Sequence, residues 1–105
     1  MKFKKYKVIE NGIEYDVEEY PSGNKYWRYK NIFHRINGPA CEYYDGNKLW
    51  YFKGELHRIN GPAIEYADGD KYWYIYGIEY NKKEYYLELL KRNLITKKEA
   101  FIEIL

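Results

Sequence analysis

The chain has 105 residues and a mass of 12.9 kDa, enough for one domain or one short repeat array with a modest core. Aromatic residues make up 21% of it and charged residues 32%, with a mean hydropathy of -0.83, so whatever core exists must be built largely from Tyr, Trp and Phe. A net charge of +2 with acids and bases alternating argues against a dedicated basic nucleic-acid face. The lone Cys41 excludes an intramolecular disulfide and a cysteine-based zinc cluster.

The opening residues, MKFKKYKVIENGIEY, hold the lysines of a secretory leader but no continuous apolar run after them, and no stretch approaches the roughly 20 apolar residues that span a bilayer. A cytoplasmic protein without a membrane segment is expected. Residues 1–10 read as an edge strand.

Residues 11–80 read as three copies of one unit. The phrase HRINGPACEYYDGNKLW starting at His34 returns as HRINGPAIEYADGDKYW at His57, 23 residues on. A worn copy lies one further period upstream: EYPSGNKYWRYKN (19–31) aligns with EYYDGNKLWYFKG (42–54) and EYADGDKYWYIYG (65–77). The fixed slots include Tyr20/Tyr43/Tyr66, Gly23/Gly46/Gly69, Lys25/Lys48/Lys71 and Trp27/Trp50/Trp73. Self-similarity at such a period marks units that cannot bury their apolar face alone and must stack.

Each unit reads as a β-hairpin, with Asp45-Gly46 and Asp68-Gly69 as two-residue turns between aromatic-rich arms. Tyr43 and Trp50 are expected to meet across the arms. A second turn is expected at Lys53-Gly54. In the link HRINGPA, Asn37-Gly38 and Asn60-Gly61 are expected to take left-handed φ, and Pro39 and Pro62 fix the exit. The units would then form an antiparallel meander of about six strands.

From residue 81 the period changes. Asn81 followed by Glu84, and Thr96 followed by Glu99, are capping-box signatures. Tyr86, Leu89, Leu90 and Leu94 fall at helical spacing, and Phe101, Ile104 and Leu105 are apolar in the segment after the second signature. Residues 81–105 should be two short helices closing the last sheet edge. The expected fold is therefore α+β, a single domain in which a β-meander of hairpin repeats carries a helical cap.

No catalytic constellation stands out. His34 and His57 occupy one slot of the repeat, each followed by Arg, and a residue recurring in every unit points to structure rather than to a general base. Arg35 and Arg58 are expected to hydrogen-bond the turn or stack on a neighbouring aromatic ring. Glu19, Glu42 and Glu65 likewise share a slot, and equivalent environments do not separate two carboxyl pKa values as acid–base chemistry requires. A ladder of solvated or lysine-paired glutamates is expected instead. There is no nucleophile elbow and no phosphate-binding glycine loop. Cys41 stands where the next unit has Ile64 and reads as a small apolar core residue. The chain thus reads as a non-enzyme without metal or cofactor. Trp27, Trp50, Trp73, His34, His57, Gly38, Gly61, Pro39, Pro62, Gly46 and Gly69 are assigned to the scaffold. The candidate binding residues are Tyr29, Lys48, Tyr51, Lys71, Tyr74, Tyr76, Arg35 and Arg58. They fit a protein partner, Tyr and Trp being enriched at such faces. Alternatively, aromatics interleaved with lysines form a stacking platform for single-stranded nucleic acid or a nucleotide.

The run HRINGPAxEYxDGxKxWYxxG resembles a MORN-like repeat of the form H-R-x-x-G-P-A, D-G, W-Y, G, found in small proteins of bacteriophages and large DNA viruses. It covers residues 11–80, though the first unit has Asn11-Gly12 and Tyr15-Asp16-Val17 where the others have H-R and G-P-A. The ending GIEYNKKEYY also looks like that group. The resemblance implies a β-sheet repeat scaffold of phage or viral origin and brings no catalytic residues. With the small size and aromatic sheet, it leads to the expectation of a stoichiometric inhibitor of a host defence protein, such as a CRISPR effector or a nucleotide-signalling system.

Overall fold

The computed structural model describes residues 3–105; the first two residues of the expected edge strand lie outside the described residues. β1 (Lys4–Glu10) and β2 (Ile13–Glu19) form a hairpin over Asn11-Gly12, with Lys4 opposite Glu19 and Glu10 opposite Ile13. β3 (Lys25–Tyr29) pairs with β2 along one edge. Its other edge is divided: Lys25 and Tyr26 face β5 (Cys41–Glu42), whereas Arg28 and Tyr29 face β4 (Ile32–Phe33). β6 (Lys48–Leu49) lies between β5 and β9 (Ile64–Glu65), while β7 (Tyr51–Phe52) pairs with β8 (Glu55–Leu56). β10 (Lys71–Ile75) repeats the division, meeting β9 at Lys71 and Tyr72, then β11 (Ile78–Tyr80) from Trp73 onward. Every pairing is antiparallel, and the expected α+β meander is what the chain forms.

The strands are shorter and more numerous than the six expected, because each long arm changes partner at its tryptophan. Before Trp27 the arm pairs with the next unit; after it, with its own returning strand. The tryptophan amide makes the changeover, donating to Ala40 from Trp27 and to Ala63 from Trp50, both at 2.7 Å. These bonds recur with the sequence period. His34 and His57 N–H donate to the carbonyls of Trp27 and Trp50, Arg35 and Arg58 N–H to those of Tyr51 and Tyr74, and Gly54 and Gly77 N–H to those of Phe33 and Leu56. The repeated phrase is thus a repeated set of backbone hydrogen bonds, half of them reaching into the following unit.

Two turn assignments are corrected by the backbone. Asp45-Gly46 is not a two-residue turn with both residues at positive φ. Only Gly46 has positive φ (97°), Gly46 N–H donates to Tyr43 at 3.0 Å, and Asn47 accepts from Tyr43 N–H at 2.9 Å, giving a longer loop with a bulge glycine. Asp68-Gly69 does the same, with Gly69 at 100°. The two-residue turns with positive φ at both positions are Asn11-Gly12, Lys30-Asn31, Lys53-Gly54 and Tyr76-Gly77. In the links only Asn60 is left-handed, at 66°; Asn37, Gly38 and Gly61 are not. Nor do Tyr43 and Trp50 meet: Tyr43 packs edge-on against Tyr26, ring centroids 5.8 Å apart.

Two cores support the sheet. Tyr15, Val17, Trp27 and Ala40 are buried under the first half. Ile75 with Tyr85, Tyr86, Leu89, Ile95 and Ala100 fills the second, where α1 (Lys82–Lys91) packs against β10 and β11 and α2 (Lys97–Ile104) packs against α1. Full burial of an aliphatic side chain such as Ile75 or Leu89 stabilises by about 1.5–3 kcal/mol. Asn81 caps α1 by accepting from Glu84 N–H, and Thr96 with Glu99 forms the full capping box of α2. Leu94, Phe101 and Leu105 are exposed, whereas Ile95 and Ala100 are buried in this core. No helix among the described residues is long and apolar enough to cross a membrane.

Candidate functional site

The two links fold alike because each arginine is clamped. The Arg35 guanidinium lies over Trp27, 3.6 Å from the ring centroid, and that of Arg58 over Trp50 at 3.8 Å. The opposite face of each guanidinium rests on glycine. A Cβ on Gly38 would come within 2.9 Å of Arg35 Cζ, and one on Gly61 within 2.8 Å of Arg58 Cζ. These glycines are therefore required for space, not for left-handed φ. Nη1 of each arginine donates to the proline carbonyl of its link, Pro39 at 3.2 Å and Pro62 at 3.0 Å, and approaches Glu42 at 3.8 Å or Glu65 at 3.5 Å. Trp, Arg, Gly, Pro and Glu of the repeat are one assembly.

The histidines hold the next unit. His34 Nδ1 accepts from Lys53 N–H at 2.8 Å and His57 Nδ1 from Tyr76 N–H at 2.9 Å, each fixing the first residue of a tight turn. Accepting at Nδ1 requires the neutral ring. Burial pushes both pKa values down, helped by Lys53 near His34 and by Arg92 near His57. The rings also join a column running Tyr15, His34, Phe52, His57, Tyr76, with successive centroids 6.1, 4.9, 5.6 and 4.0 Å apart.

The two arginines differ in what meets their outer edge. Arg35 Nε and Nη2 donate to the two carboxylate oxygens of Glu10 at 3.1 and 2.9 Å, a bidentate pair brought in by the β1–β2 hairpin. This pairing holds the Glu10 carboxyl below its usual range. The corresponding edge of Arg58 meets no acceptor among the described residues, and its side chain is 28% exposed against 14% for Arg35. It faces an open groove of about 610 Å³ between the two links, lined by Ile36, Asn37, Gly38, Trp50, Phe52, His57, Arg58, Ile59 and Tyr76. Ile36 and Ile59, in the same slot of successive links, are 54% and 42% exposed. A smaller hollow of about 270 Å³ beside β1 and β2 has two of its cations taken, Lys7 by Asp16 and Arg28 by Glu18.

Of the candidate binding residues, only Arg58 and Tyr76 share this groove. Tyr51 packs on Phe33 at 5.4 Å, Tyr74 is half-buried, and Tyr29 stands exposed beside Lys30. Lys48 and Lys71 are exposed, in register with Glu42 and Glu65 on the neighbouring strands. Lys25, Glu42, Lys48, Glu65 and Lys71 thus alternate in sign across the sheet, the ladder anticipated from the sequence, although the glutamates make their closest ion pairs to the link arginines. Cys41 is buried, and desolvation pushes its thiol up to about 11. Ile36, Ile59 and Phe52 were not singled out from the sequence; an isoleucine repeated inside an otherwise polar link was the available signal. No family model, curated protein or solved structure matches the chain.

Proposed function

We propose that the chain is a small non-enzymatic binding protein that acts stoichiometrically on another protein, docking it in the groove between the links. The observation supporting this reading is the pair of exposed isoleucines, Ile36 and Ile59, which line one groove together with aromatic rings and one incompletely paired guanidinium. Apolar anchors around aromatic and Arg groups are the composition of protein-docking faces. The alternating Lys/Glu ladder works against a phosphate-tracking face, so the nucleic-acid reading comes second. Resemblance to the phage-type repeat supplies the setting: the cytoplasm of an infected cell, with a host defence protein as target.

The test is capture from bacterial lysate by the tagged chain, with and without nuclease, alongside an Ile36→Asp/Ile59→Asp variant whose fold is checked by circular dichroism. A protein retained in stoichiometric amount, indifferent to nuclease and lost with the variant, is expected. Retention that nuclease removes would favour nucleic acid. Capture unchanged by the variant would move the docking face elsewhere.

A further inference from the structure

We propose that Arg58 anchors a subsite for a carboxylate, supplied by an Asp or Glu side chain on an exposed turn of the protein partner. This deepens the docking reading above and rests on it for the identity of the partner. Arg35 and Arg58 have the same stacking ring, the same supporting glycine and the same proline acceptor. On Arg35 the remaining fork, Nε and Nη2, is filled by the Glu10 carboxylate at the tip of a hairpin. One unit on, no described side chain plays that part, and Arg58 lines the open groove.

The chain therefore displays both a filled and a vacant version of one recognition element. The filled one specifies the ligand: two coplanar oxygens matched to a planar fork whose faces are already closed by Trp and Gly. Stacking fixes the guanidinium before binding, so little side-chain freedom is lost when a carboxylate arrives. Ile36 and Ile59 on the walls suit the body of a peptide turn better than a bare anion.

The arginine Nε–Hε resonances read the proposal directly. The wild-type chain and Glu10→Gln would be titrated with N-acetylglutamate amide and, at matched ionic strength, with inorganic phosphate. In wild type the Arg58 resonance is expected to shift and saturate with the carboxylate at a lower concentration than with phosphate, while Arg35, already bridged, stays still. In Glu10→Gln the Arg35 resonance should begin to respond in the same way. An Arg58 resonance unmoved by the carboxylate, or moved more readily by phosphate, would overturn the proposal, and the wild-type titration decides this even if Glu10→Gln fails to fold. The two readings fail separately: an unresponsive Arg58 with intact protein capture removes only the subsite, whereas a responsive Arg58 with no captured protein keeps the subsite and removes the docking partner.

Discussion

At the scale of single residues, the link glycines and histidines carry the most weight for their size. Gly61→Ala puts a methyl group where the Arg58 guanidinium lies, so either the arginine leaves Trp50 or the link shifts. The loss of one such stack amounts to about 0.5–2 kcal/mol, and urea unfolding should show a drop of that order. Gly38→Ala should cost more, since displacing Arg35 also breaks its bidentate bond to Glu10. Equal effects at the two sites would argue that Glu10 contributes nothing. The histidines give a dependence on pH whose sign is fixed by their depressed values. Both rings are neutral in the fold, while the unfolded chain takes up protons as pH falls through 6.5. Stability should hold steady above about pH 6.5 and decline below it, ahead of the further loss when Glu10, held low by Arg35, is protonated. Urea midpoints across this range check it; a midpoint that is flat until the carboxylates titrate would remove the histidines from the account. Cys41, buried with its thiol raised to about 11, should react with a thiol reagent only at the rate of unfolding.

At the scale of elements, the turns divide the load unevenly. Lys30-Asn31 makes a two-residue turn with φ of 50° and 67° and no glycine to relieve it. Left-handed backbone costs an ordinary residue roughly 1 kcal/mol, so Lys30→Asn with Asn31→Gly should raise the unfolding midpoint by an amount of that order. Thermal denaturation of the double variant tests this, and an unchanged midpoint would mean that strain at this turn is offset elsewhere. The same turns show what could be read beforehand. Lys53-Gly54 was legible because glycine in the second position announces itself. Tyr76-Gly77 carries the same second-position glycine but was not named as a turn; the tyrosine before it, at φ 44°, stacks on His57 at 4.0 Å and donates its N–H to the same imidazole. Asp45-Gly46 was placed correctly but given the wrong geometry, because one left-handed glycine suits a bulged loop as well as a tight turn. The 23-residue period, the hairpin meander and the helical cap all followed from spacing. The groove did not, because it lies between loops 23 residues apart and is defined by the absence, at Arg58, of what Glu10 supplies to Arg35 from outside the repeat.

At the scale of the molecule, the array is closed differently at its two ends. β1 pairs only with β2 and is guarded by Lys4, Lys5 and Lys7, charges that discourage edge-to-edge association. The other end depends on α1 and α2, which cover Ile75 and accompany Trp73 and Tyr80 in the second core. A chain cut after Tyr80 should expose that surface and leave the single-species elution expected of the intact chain for a broad, aggregating profile on size-exclusion chromatography; monodisperse elution would show that the sheet sustains itself. Between these ends the backbone hydrogen bonds recur with the period, whereas the side-chain bonds from Glu10, Tyr15 and Tyr85 belong to the ends. The contact that Trp27, His34 and Arg35 make with the unit ahead is the contact that Trp50, His57 and Arg58 make with theirs. An in-frame duplication of one 23-residue period would repeat the same turns and backbone bonds, and is expected to add a second groove with its own guanidinium. Valency in such a protein is a matter of gene length: each copied period adds a recognition element at a fixed step along a rigid ruler, and selection can tune affinity by counting units before it alters any one of them.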